Sequence, residues 1–144
     1  VMAAVTQYGD TLQYASIELK NNKNIVLTAV KNSCSALKYA SPELKNDKEV
    51  VLEAVKQDGM ILYWASDELQ SDKDVLNSMR DFLMSEDCPN NEFYIKAKEN
   101  LLKYDREDRE KELLSKLADL DKLQAQQQNS INQPKAEVKS RRKV

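Results

Sequence analysis

The sequence predicts an all-α protein: tandem 25-residue helix-pair repeats forming a short α-solenoid-like array, followed by a long charged C-terminal helix. Three observations predict it. Apolar and polar positions recur at a fixed offset of 25 residues. Gly (2) and Pro (3) are scarce in 144 residues, too few for the tight turns of an all-β fold. The C-terminal third is dense in alternating charges with few helix breakers.

The repeat is read directly. Leu12-Gln-Tyr-Ala-Ser-Ile-Glu-Leu19, Leu37-Lys-Tyr-Ala-Ser-Pro-Glu-Leu44 and Leu62-Tyr-Trp-Ala-Ser-Asp-Glu-Leu69 align without gaps. Val26-Leu-Thr-Ala-Val30 aligns with Val51-Leu-Glu-Ala-Val55 at the same offset, and Val1-Met-Ala-Ala-Val5 precedes them in register. The chain is therefore expected to open within a repeat helix and to be a fragment of a larger protein. In the fourth copy Met79 and Arg80 replace Ala54 and Val55. Loss of the apolar face there marks an end of the array, because a terminal repeat must face water.

Within a unit, Val50, Val51, Leu52, Ala54 and Val55 form an apolar helical face. Asn22, Asp47 and Asp72 stand just ahead of each such run and are predicted N-caps, since their side-chain oxygens can accept from first-turn N–H groups. Gly9 and Gly59 follow as candidate left-handed stops. Leu37, Ala40 and Leu44 share a second, shorter helical face, with Ser41 starting a fresh turn and Pro42 at its first position. Ala40 is expected to let two helices approach closely. Neither helix buries its face alone; stacked neighbours do.

The pattern Leu-x-Tyr-Ala-Ser-x-Glu-Leu-x-x-Asp-x-x-Val-Val-x-x-Ala-Val resembles the repeat of domain of unknown function 4116, over about residues 1–80. The resemblance implies a helical repeat architecture and no established activity. It does not reach the C-terminal part.

Asp87-Cys-Pro-Asn-Asn91 breaks the chain, and a helix is predicted from about Glu92 to Gln128. Glu107/Lys111 and Glu112/Lys116 are i, i+4 pairs in the favourable order. Leu113, Leu117 and Leu120 make an apolar stripe too short for a sustained coiled coil, better suited to a helix packing on the array. The expected organisation is thus a repeat array at 1–88, a charged helix at 89–128 and a disordered basic tail at 129–144.

Composition narrows the function classes. With no histidine, Ser-His-Asp and Cys-His catalysis and His-ligated zinc or haem fall away. Two glycines cannot build a phosphate loop. No catalytic residues, cofactor or metal site is expected, and the chain is not expected to be an enzyme. Cys34 and Cys88 lack C-x-x-C spacing and suit free thiols in a reducing, intracellular compartment. No apolar run nears the roughly 20 residues of a membrane span. Residues 1–88 carry 9 Lys/Arg against 14 Asp/Glu, and residues 89–144 carry 13 against 10, so the body is acidic and the tail basic.

The expected function is a non-catalytic scaffold holding a protein partner. The candidate partner-binding residues are an aromatic ladder of Tyr14, Tyr39 and Trp64 and an acidic row of Glu18, Glu43 and Glu68. The aromatics could equally fill space between repeats, and each Glu could complement a helix dipole. The alternatives are a nucleic-acid-associated protein using the basic stretch Lys139–Lys143, or a structural subunit filling space in a large assembly. The sequence leaves self-association open.

Overall fold

The computed structural model describes the backbone of residues 2–142 and the side chains of residues 2–132. Among these residues every regular element is helical, as the sequence predicts. The chain falls into two compact units, residues 1–103 and 104–144.

The first unit carries the repeats. Three ten- or six-residue helices follow a common plan: α1 (Met2–Gln7), α3 (Lys23–Asn32) and α5 (Lys48–Gln57). Single-turn helices α2 (Ile17–Lys20), α4 (Pro42–Lys45) and α6 (Asp67–Gln70) alternate with them. Between long and short helices run three 3-10 helices, η1 (Gly9–Tyr14), η2 (Cys34–Tyr39) and η3 (Gly59–Trp64), each 25 residues after the last. Then come α7 (Lys73–Ser78), α8 (Arg80–Met84) and α9 (Glu92–Arg142), with the chain from Ser85 to Asn91 non-helical. Helix α1 packs on α3, α3 on α5 and α5 on α7, while η1 packs on η2 and η2 on η3.

The predicted caps form. Asn22 accepts from the Ile25 N–H, Asp47 from Glu49 and Val50, and Asp72 from Asp74 and Val75. Ser16, Ser41 and Ser66 accept from Leu19, Leu44 and Leu69. The serines also explain a difference from the predicted helix pair. A capping residue sits in extended backbone, and Ala40, just before Ser41, is extended as well (φ −65°, ψ 158°). A continuous helix through Leu37, Ala40 and Leu44 is therefore interrupted, and Leu37 belongs to a 3-10 helix closed by the Ala40 N–H on the Leu37 carbonyl.

The core follows the repeat. Leu12, Leu37 and Leu62, and Val5, Val26, Val30, Val50 and Val51, are fully buried, with Ala29 and Ala54 between them. Ala40 is buried as expected.

The glycines differ from their predicted role. Among the described residues none has a positive φ, so neither Gly9 nor Gly59 is a left-handed stop. Both are required by close approach. A Cβ on Gly9 would run into the Ala29 carbonyl oxygen and lie 2.8 Å from Ser33 Cβ. On Gly59 it would meet the Phe82 ring, with Cε1 at 2.8 Å.

The fourth copy ends the pattern at Met79, which is buried but leaves helical geometry (φ −113°, ψ 20°) and separates α7 from α8. The first turns of α9 complete this unit. Asn91 accepts from the Tyr94 N–H at the start of the helix. Tyr94, Ala97 and Leu101, spaced i, i+3, i+7, are buried. In the second unit the helix continues through Asn129–Asn132, past the predicted end near Gln128, with no Gly or Pro in that stretch to stop it. The basic cluster Lys139–Lys143 and the rest of the predicted tail beyond Asn132 lie outside the residues whose side chains are described.

Candidate functional site

Successive repeats are joined by a hydrogen-bonded clasp that recurs 25 residues later. The Ser41 N–H donates to the Lys20 carbonyl, and the Ser66 N–H to the Lys45 carbonyl, both at 3.0 Å. Asn21 Nδ2 donates to Glu43 Oε2 (2.9 Å) and Ser41 Oγ donates to Asn21 Oδ1 (2.6 Å). Asn46 repeats this with Glu68 (3.2 Å) and Ser66 (2.6 Å). A side-chain amide has both a donor and an acceptor end, so one Asn reads Glu and Ser of the next repeat together.

A lysine adds charge to each clasp. Lys23 Nζ lies 2.9 Å from Asp47 and 2.7 Å from Glu49. Lys48 Nζ lies 3.1 Å from Asp72 and 2.5 Å from Asp74. Hydrogen bonds to Glu49 and Asp47 raise the Lys23 pKa, and bonds to Asp74 and Asp72 raise that of Lys48. Burial pushes the Asp47 carboxyl up, but the Lys23 hydrogen bond and the Val50 N–H outweigh it and hold the carboxyl below its ordinary range. Asp72 behaves alike, with the Val75 N–H and Lys48 overcoming burial. At the C-terminal ends of α3 and α5, Asn32 Nδ2 donates to the Val5 carbonyl (3.3 Å) and Gln57 Nε2 to the Val30 carbonyl (2.8 Å).

The acidic row is thus divided. Glu43 and Glu68 serve the clasps, while Glu18 is exposed and its side chain has no hydrogen-bond partner among the described residues. The aromatic row is divided too. Tyr14 is 83% exposed. Tyr39 and Trp64 are half-buried and share Lys38, whose Nζ lies 5.5 Å from one ring centroid and 5.2 Å from the other. A cation held between two ring faces is attracted by both quadrupoles. From Trp64 an edge-to-face chain runs through Tyr63, Phe93 and Tyr94 to Phe82, with centroids 4.9–5.9 Å apart. Tyr94 Oη donates to the Met60 carbonyl at 2.9 Å, and burial pushes its pKa up to about 12. A shallow groove bordered by Met60, Tyr63, Trp64 and Phe93 lies beside this chain.

The clasp residues Asn21, Asn46, Lys23, Lys48, Asn32 and Gln57 were missed by the sequence reading. Their signal was the recurrence of Lys20-Asn21 as Lys45-Asn46 and of Lys23 as Lys48, at the offset already found for the leucines.

Cys34 and Cys88 are free thiols. Burial raises the Cys34 pKa, away from a reactive thiolate. Among the described residues no cluster of Cys, Asp and Glu could hold a metal ion, and no helix is long and apolar enough to cross a membrane.

The capped, clasped units of residues 1–77 define an all-helical protein of recurring short elements. The family model "Domain of unknown function (DUF4116)" matches this chain at residues 1–45, 22–70 and 47–77. These segments span more than half of the 144 residues, and the chain belongs to that family. No curated protein and no solved structure matches it.

Proposed function

We propose that the chain is a non-catalytic helical scaffold that holds a protein partner, with the leucine face of α9 as the contact surface. One observation carries this reading. Leu113, Leu117 and Leu120, spaced i, i+4, i+7 on one face of the helix, are 54–60% exposed, with exposed Leu114 and Leu123 on its two flanks. A contiguous apolar strip of that kind is the usual mark of an interaction site. Along one edge Glu112 pairs with Lys116 at 2.7 Å, which suits a polar rim beside an apolar centre. The complementary partner is another amphipathic helix, read at i, i+4, i+7.

The non-catalytic part of the reading is supported by how the recurrent polar groups are used. Asp47, Asp72, Glu43 and Glu68 are engaged in caps and clasps within the repeats. The two free thiols suit a reducing, intracellular compartment.

The test is affinity purification of the chain and of a Leu117→Glu/Leu120→Glu variant, with circular dichroism confirming that the helix is retained. A specific co-purifying protein should be lost from the variant. Sedimentation across a concentration range separates a second copy from a different protein as the occupant. The reading fails if the same proteins accompany both baits, or if the parent chain retains none and stays monomeric.

A further inference from the structure

The inter-repeat face formed by Ala15, Ser16, Glu18 and Leu19 has its counterparts covered twice within the same chain. Around Ser41 the covering elements are the Lys20 carbonyl and the Asn21 amide, and around Ser66 they are the Lys45 carbonyl and the Asn46 amide. Ala40 and Ala65, and Leu44 and Leu69, are buried at those two interfaces. At the first face Ala15 and Leu19 are only half-buried, Tyr14 is 83% exposed where Tyr39 and Trp64 are half-buried, and the Glu18 side chain has no partner among the described residues. The backbone around it is already set: Ser16 has the same capping conformation as Ser41 and Ser66, with ψ of 163°, 157° and 155°.

We propose that this face is the receiving half of a repeat–repeat interface, and that its occupant is another repeat of this class whose short helix ends in a Lys-Asn pair. The Asn amide donates to Glu18 and accepts from Ser16 Oγ, and the Lys carbonyl accepts from the Ser16 N–H. The occupant's apolar side covers Ala15 and Leu19, as Ala40, Ala65, Leu44 and Leu69 are covered. A second copy of this chain does not supply such an edge. Both of its Lys-Asn pairs are engaged internally, and at the equivalent place after α6 Asn100 Nδ2 of α9 donates to Ser71 Oγ at 3.4 Å beside the buried Ala97.

One feature of the other clasps is absent here. Where Lys23 and Lys48 meet Asp47/Glu49 and Asp72/Asp74, the corresponding positions on this face are Asn22 and Asn24. The occupant therefore gains no ion pair, and the interface depends on the Asn amide, the backbone bond and apolar burial. It should be less sensitive to salt than the two internal ones.

The experiment joins a duplicate of residues 26–50 in register ahead of residue 1 of the full chain and follows amide hydrogen exchange. The Ser16 amide should exchange about tenfold more slowly or better in the extended chain, approaching Ser41 and Ser66. Unchanged Ser16 exchange in a folded extended chain overturns the proposal. A second comparison needs no extension. In the chain as it stands Glu43→Ala should lower Tm, whereas Glu18→Ala should leave it unchanged. Equal losses mean that Glu18 is already engaged, and the proposal falls.

Discussion

Gly59→Ala isolates the close contact that ends the array. The glycine has no positive φ, so alanine meets no backbone strain there. Restricting the unfolded chain would by itself stabilise the protein by about 0.4–1 kcal/mol. The opposing term comes from packing. The new methyl would fall within 3 Å of three atoms of the Phe82 ring, and that ring is held edge-on by Tyr94 at 5.9 Å. Tyr94 is itself buried and tied to the Met60 carbonyl, one residue from the substituted site. The ring cannot turn away without disturbing its neighbour, so the overpacking cost is about 1–3 kcal/mol. The net effect is a loss of about 0.5–2 kcal/mol, or a fall in Tm of roughly 2–16 °C for a unit of this size. The assay is thermal unfolding followed by circular dichroism, repeated in a Phe82→Leu background. There the penalty should shrink by about 1 kcal/mol, since the two sites are in contact and must couple. A Gly59→Ala chain melting at or above the parent temperature, or a penalty independent of residue 82, would refute the reasoning.

Ala40→Leu should cost about 1–3 kcal/mol by overpacking a buried site, measured by urea unfolding; an unchanged midpoint would contradict the core assignment. Asn46→Ala removes both the donor to Glu68 and the acceptor for Ser66, and should destabilise by about 1 kcal/mol, whereas Glu53→Gln, at a half-buried position and of nearly equal size, should be close to neutral. Stability should also depend on pH at both extremes. The lowered pKa values of Asp47 and Asp72 mean that their contribution is present above the ordinary carboxylate range and lost as pH falls through the folded values. The raised values of Lys23 and Lys48 mean that theirs is present below the ordinary lysine range and lost as pH rises through the folded values. A Tm plateau between about pH 4 and about pH 10 is expected, with an acid limb that flattens in Lys23→Met/Lys48→Met. An acid limb identical to that of the parent would show that the clasps contribute nothing.

The repeat period, the caps and the core were legible because each is written locally. A cap needs an oxygen on one residue and an N–H two or three residues later, so Asn22, Asp47 and Ser41 declare themselves within a single turn. Buried Leu12, Leu37 and Leu62 recur because each fills the same space in successive units. The expected glycine stops were wrong for a reason the sequence does not carry. Turn glycines and close-approach glycines look alike in sequence, and only the position of the Ala29 carbonyl or the Phe82 ring distinguishes them. The candidate site was half legible. The acidic and aromatic rows were visible as repeats, but whether a member is engaged depends on what lies beside it.

By itself the sequence determined an all-helical chain, its 25-residue period, the residues that start each helix and the apolar positions that make the core. Only the tertiary structure decided that Glu43 and Glu68 clasp Asn21 and Asn46 while Glu18 stands open, that Lys38 lies over Tyr39 and Trp64, and that Tyr94, Ala97 and Leu101 close the last repeat. A cap or an apolar stripe is fixed by torsions within one helix turn. A hydrogen bond across 22 residues forms only where packing of two apolar faces has first brought the groups within about 3 Å.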